Sequence, residues 1–201
     1  MSDFDLKIIS ENINEAKSRG EDTRDLEASM NDMADHMKFL AAMKNAEGER
    51  DEAFVLYMQV LDVFPEDTEA LTEAGNFFFG SEDYEKAMSF FDRALISEPD
   101  DANLLLYAGI TRFSVGKYSE AEKYLRSAKN CGGDEITSDM YLAVICMLDE
   151  RFTEAQALML SVVEKDDEFE EAYNSLVELY KRMGNTEEAK KWDQKRREKF
   201  G

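Results

Sequence analysis

The chain has 201 residues, 43% of them apolar, with only two prolines; that suits one compact domain or one continuous array and excludes a disordered polymer. Its 45 acidic against 24 basic residues leave a formal charge of −21, a field that repels phosphate backbones and anionic lipid headgroups, so nucleic acid is not an expected partner. Two cysteines, Cys131 and Cys146, supply neither a disulfide framework nor a metal ligand set, and both are expected as reduced thiols with no cofactor.

At the N-terminus, Met1 to Asp5 shows no charged segment followed by an apolar one. The longest uncharged apolar run, Met140 to Leu148, is too short to span a bilayer. These features predict a cytoplasmic protein without membrane insertion. From Asp5 to Arg19, Leu6, Ile9, Ile13 and Ala16 recur at helical spacing, with Ser2 and Asp3 available as caps. Gly20-Glu-Asp breaks that helix. A second is predicted from Asp22 to Asn45, with Leu26, Met30, Met33, Met37 and Leu40 along one side. Residues 1–33 thus read as a helical extension that folds back on the chain, pairs with a second copy as a homodimer, or gives way to a client.

Beyond residue 34 one period governs the chain. Ala53, Ala87, Ala121, Ala155 and Ala189 stand at successive intervals of 34 residues, with no insertion breaking the phase. The surrounding motif recurs as Gly48-Glu-Arg-Asp-Glu-Ala53, Asp83-Tyr-Glu-Lys-Ala87, Gly116-Lys-Tyr-Ser-Glu-Ala121, Arg151-Phe-Thr-Glu-Ala155 and Gly184-Asn-Thr-Glu-Glu-Ala189. Other positions keep the register: Gly75 and Gly109 at the eighth, Leu40, Leu142 and Leu176 at the seventh, Phe78 and Tyr180 at the eleventh, Tyr57 and Phe91 at the twenty-fourth, Ala94 and Ala128 at the twenty-seventh. Pro65 and Pro99 fall at the thirty-second, where a helix should stop.

This pattern resembles the tetratricopeptide repeat. The resemblance covers residues 34–201 as five units, 34–67, 68–101, 102–135, 136–169 and 170–201, of which the second and third match best. Lys44, Arg50 and Cys146 depart from it. Asp193 and Arg196 depart in the manner of a terminal helix with no successor to cover it. The resemblance implies an all-α, right-handed superhelical solenoid of helix-turn-helix repeats, first helices lining a concave groove and second helices the convex side.

In that family, the second, fifth, ninth, twelfth and thirteenth positions of each first helix face the groove. Carried over, the first repeat offers Asp35, Lys38, Ala42, Asn45 and Ala46, and the second Glu69, Thr72, Asn76, Phe79 and Gly80. The third offers Asn103, Leu106, Ile110, Phe113 and Ser114, and the fourth Thr137, Met140, Val144, Met147 and Leu148. The last two helices are apolar nearly all round, as Leu104-Leu-Leu-Tyr-Ala-Gly-Ile and Met140-Tyr-Leu-Ala-Val-Ile-Cys-Met-Leu show. Either the protein covers that surface itself, the N-terminal helix being one available cover, or the surface is a groove for an apolar or amphipathic peptide, with flexible methionines adapting to it.

The family's clamp for acidic chaperone tails is not supported: Lys38 meets its first requirement, but Ala42, Glu73, Asn103 and Tyr107 fail the rest. No catalytic constellation occurs, since the single histidine, His36, lies among Asp35, Met37 and Lys38 with no phosphate loop or metal-spaced set anywhere. An enzyme is therefore not expected. The C-terminal run Lys190, Lys191, Lys195, Arg196, Arg197 and Lys199 complements a helix dipole at a solvated cap, or contacts an acidic surface.

Together these features predict a protein–protein interaction module, an adaptor or chaperone holding a client protein or peptide. Its expected groove residues are Asn76, Phe79, Leu106, Ile110, Phe113, Met140, Val144 and Met147. The contrasting expectation is a self-assembling scaffold with the N-terminal helix in the groove of a second copy. A third follows from a resemblance to the repeat-type chaperones of type III secretion translocators, carried by Gly20-Glu-Asp-Thr-Arg-Asp-Leu26 before a helix.

Overall fold

The computed structural model describes residues 6–201, so Ser2 and Asp3, expected as caps, lie outside the described residues. Among the described residues there are eleven α-helices and no strand, and no helix is long and apolar enough to cross a membrane. The described residues fall into two compact units, 6–99 and 100–201, parting at the second proline.

The first unit contains α1 (Leu6–Ser18), α2 (Arg24–Glu47), α3 (Arg50–Val63), α4 (Thr68–Gly80) and α5 (Tyr84–Ser97), each packed on its predecessor except that α1 contacts both α2 and α3. The first helix therefore folds back: Leu6, Ile13 and Ala16 are buried and Ile9 half-buried. Gly20 ends it at φ +75, a conformation open to glycine without a Cβ clash.

The second helix differs from expectation in its packed face. Ala34, Met37 and Ala41 are buried, whereas Leu26 and Leu40 are 45% and 38% exposed. At 100° per residue the buried face is turned about 50° from the Leu26–Leu40 stripe. Two small alanines in the contact let the neighbouring helices approach closely, and that close approach sets the rotation in place of the larger side chains.

The second unit contains α6 (Ala102–Ser114), α7 (Tyr118–Asn130), α8 (Glu135–Leu148), α9 (Phe152–Lys165), α10 (Glu170–Arg182) and α11 (Thr186–Phe200). Successive helices pack, and α6 also touches α8. Aspartates start several helices across the chain: Asp67 accepts from the Ala70 N–H at 2.9 Å, Asp101 from Leu104 at 2.7 Å, and Asp134 from Ile136 and Thr137 at 3.0 and 3.2 Å.

The phased alanines lie where helices meet. Ala53, Ala87, Ala121 and Ala155 are fully buried and Ala189 nearly so. Two glycines lie opposite large side chains of the paired helices. A β-carbon on Gly75 would lie 2.6 Å from the Phe91 ring, and one on Gly109 would lie 2.8 Å from Leu125 Cγ and 3.2 Å from its backbone nitrogen.

Buried polar groups in the second unit are mostly paired. Arg112, almost wholly buried, donates from Nε to Glu120 at 3.3 Å and from Nη1 to the Ala108 carbonyl at 3.2 Å, and lies 4.1 Å over the Tyr124 ring. Asp139 is buried with Lys129 as its ion-pair partner, Lys165 3.6 Å away and the Ser161 hydroxyl donating at 3.4 Å. Glu122 accepts from Arg151 at 3.0 and 2.7 Å, and Arg126 joins Glu122 to Glu154. The Arg151 guanidinium is the main reason the Glu122 carboxyl sits below its ordinary range.

Candidate functional site

The second unit carries an open pocket of about 350 Å³ lined by Phe113, Thr137, Met140, Tyr141, Val144, Phe169 and Glu171. Its wall is built by periodicity: Thr137, Met140, Tyr141 and Val144 stand at i, i+3, i+4 and i+7 on α8 and so share one face. Phe113, from the last turn of α6, sets its ring edge-on to Tyr141 at 5.0 Å and 5.4 Å from Tyr118. Phe169 is the residue before α10, and Glu171 lies in that helix's first turn. Behind the pocket, Met140 and Val144 pack on a core that includes Met147, Tyr173 and Val177.

The eight expected groove residues part company here. Phe113, Met140 and Val144 meet in this pocket. Leu106, Ile110 and Met147 are buried at 7% exposure each, so the third and fourth first helices are largely covered within the protein. Asn76 and Phe79 belong to the first unit; Phe79, half-buried, sets its ring 5.7 Å from Tyr84.

Asn76 lines a separate cavity of about 150 Å³ in the first unit with Asn45, Arg50, Phe54, Tyr57, Glu73 and Phe77. Burial pushes the Tyr57 hydroxyl up to about 12, and the negative charges of Glu73 and Glu69 add to the effect. Nearby, burial works against the Lys38 ammonium, but hydrogen bonds to Asp67 and Asp35 outweigh it and raise its pKa. With Asp35, Asp67 and Glu69 at 3.2, 3.0 and 3.4 Å, Lys38 is already neutralised by the chain's own carboxylates.

Two stretches of the chain, residues 45–108 and 170–192, match family models described as tetratricopeptide repeat. Solved structures of the same kind superpose over most of the chain. Over those two stretches the chain carries tetratricopeptide repeats. Among tetratricopeptide structures, that of MamA protein aligns with a TM-score of 0.77 at 19% identity, covering 84% of this chain and 92% of the other. A MamA fragment, 41 to its end, from Desulfovibrio magneticus RS-1 gives 0.76 at 19%, covering 82% and 93%. YrrB, described as a TPR protein with an unusual peptide-binding site, gives 0.72 at 20%, covering 80% and 82%. At these identities the likeness is one of fold, the all-α helical-repeat solenoid class.

Within this tetratricopeptide chain, the carried-over groove positions missed Tyr141 and Phe169, while Glu171 stands at the second position of the fifth unit, for which no positions were carried over. Tyr141 sits at the sixth position of its repeat and Phe169 just before the first helix of the next, outside the groove-facing set. A signal for Phe169 was present: it is a lone aromatic closing the acidic link Asp166-Asp167-Glu168. His36 is exposed on α2.

Proposed function

We propose that this protein is an interaction module, an adaptor or chaperone, whose second-unit pocket seats an apolar side chain of a partner polypeptide. The observation that carries the reading is the pocket's composition. Phe113, Met140, Tyr141, Val144 and Phe169 stay partly open to solvent around about 350 Å³, while neighbouring apolar residues of the same helices are buried. Two aromatic rings in fixed contact give a rigid wall, and the Met140 thioether gives an adaptable one. Glu171 at the same pocket offers an acceptor for a backbone N–H or a basic residue beside the apolar anchor. The peptide-binding site ascribed to YrrB, a protein of the same fold, supports a polypeptide partner.

Self-assembly through the N-terminal helix is a weaker reading, because α1 would first have to give up the burial of Leu6, Ile13 and Ala16. The net charge of −21 favours partners with basic flanks in a cytoplasmic setting.

Arrays of short peptides differing at one central residue test the proposal. Wild type is expected to retain Leu, Met and Phe peptides over Ser and Asp peptides. Val144→Glu should weaken that retention at least tenfold, as a buried unpaired charge implies, and Phe169→Ala should weaken it severalfold. Helical circular dichroism must persist in both variants. Ile110 is unsuitable for such a charge, being buried. Equal retention of apolar and polar peptides, or undiminished binding by folded Val144→Glu, would falsify the reading.

A further inference from the structure

The first-unit cavity is of a different chemical kind from the pocket above. Glu73, half-buried on α4, presents its carboxylate there and forms no ion pair among the described residues; its partners are the Asn45 amide at 3.2 Å and the Asn76 amide at 3.4 Å. Burial is the largest influence on Glu73 and pushes its carboxyl up. The Asn76 amide opposes this and the charge of Glu69 reinforces it. The carboxylate has therefore lost part of its hydration without gaining an ion pair, since Arg50 in the same lining is turned to the Asn76 carbonyl.

Apart from Arg50, the remaining walls suit a cation. Phe54 and Phe77 stack at a centroid distance of 4.1 Å, and Phe54 meets Phe78 edge-on at 5.2 Å. Tyr57 is almost wholly buried. Aromatic rings beside a carboxylate favour a cation, and both asparagines give a side-chain N–H to Glu73, their amide oxygens being further acceptors. A carboxylate and two amide oxygens match the three donors of an ammonium group. The volume of about 150 Å³ corresponds to about five waters at roughly 30 Å³ each. A lysine side chain beyond its α-carbon carries as many heavy atoms.

We propose that the cavity formed by Asn45, Phe54, Tyr57, Glu73, Asn76 and Phe77 receives the ammonium end of a lysine side chain from a partner polypeptide. This rests on the first unit alone and is independent of the apolar-pocket reading. Arg50 is the local opponent: its guanidinium lies 3.5 Å from the Asn76 carbonyl and fills the space that a β-carbon on Gly80 would need. Arg50 disfavours a second cation but would attract an anion, so the two charged residues predict opposite signs for opposite ligands.

The test uses the full chain and two probe peptides, acetyl-Gly-Gly-Lys-Gly-Gly-amide and its norleucine counterpart, followed by NMR of the Asn45 and Asn76 side-chain amides. Saturable shifts are expected with the lysine peptide, and affinity at least fivefold weaker with norleucine. Glu73→Gln, which keeps shape and removes one charge of a large excess, should weaken lysine binding at least fivefold. Arg50→Gln should tighten it about twofold, about 0.4 kcal/mol by the usual relation. The proposal is overturned by equal response to the two peptides, by wild-type affinity in Glu73→Gln, or by weakened binding in Arg50→Gln. The last result would place Arg50 among the groups that hold the peptide.

Discussion

Gly109→Val should lower the stability of the second unit by about 2–3 kcal/mol, the upper part of the range for forcing extra atoms into a packed contact. The reason is the partner against which the new side chain would press. A β-carbon at Gly109 meets Leu125 Cγ at 2.8 Å, which a rotamer change could relieve, but also the Leu125 backbone nitrogen at 3.2 Å, which only a shift of α7 could relieve. Valine recovers only about 0.3 kcal/mol of helix propensity, whereas alanine gains about 1 kcal/mol over glycine. Gly109→Ala should therefore be much milder than Gly109→Val. For a chain of this size the valine variant should melt roughly 5–10 °C lower. A calorimetric midpoint within about 1 °C of wild type would show that α6 and α7 can separate without cost.

Lys129→Met should cost about 2–3 kcal/mol, below the 3–5 typical of a broken buried pair because Lys129 is itself only partly buried. Asp139 is the group left stranded. Its side chain is 2% exposed, and with Lys129 gone the nearest cation is Lys165 at 3.6 Å, already paired to Glu135. The double variant Lys129→Met with Asp139→Leu should recover most of the loss, since it replaces both charges with apolar groups of similar size. A urea-unfolding cycle of the four proteins measures this coupling. Simple additivity of the two single variants would show that the pair contributes nothing as a pair.

The helical-repeat architecture was legible because its requirement is local and repeated. A small residue must stand wherever two helices touch, and the five alanines at a fixed interval record that need without reference to anything distant. Gly75 and Gly109 were legible for the same reason, each opposite a large side chain of the paired helix. The face of α2 was not. Leu26 and Leu40 look like core residues by hydropathy, and their exposure follows from α2 turning Ala34, Met37 and Ala41 inward in their place, a rotation that periodicity does not encode.

The candidate site was half legible. Of the residues the position rules named, Phe113, Met140 and Val144 line one pocket. Those rules could not tell a groove residue from a covered one, so Leu106 and Ile110 looked like wall and are core. They also could not reach Phe169, whose place depends on the link after α9. The Glu73 cavity was invisible for a further reason: it depends on asparagines from two helices converging on one carboxylate.

The two thiols divide sharply in their access to reagents. Cys131 follows α7 at the surface, whereas Cys146 is fully enclosed in α8, where burial pushes its thiol up to about 11. Thiolate is the reactive form, so Cys146 is protected twice, by occlusion and by protonation. A maleimide dye thus marks one place on the folded molecule. The rate at which a second equivalent enters is a clock for the opening of α8, built into the native sequence.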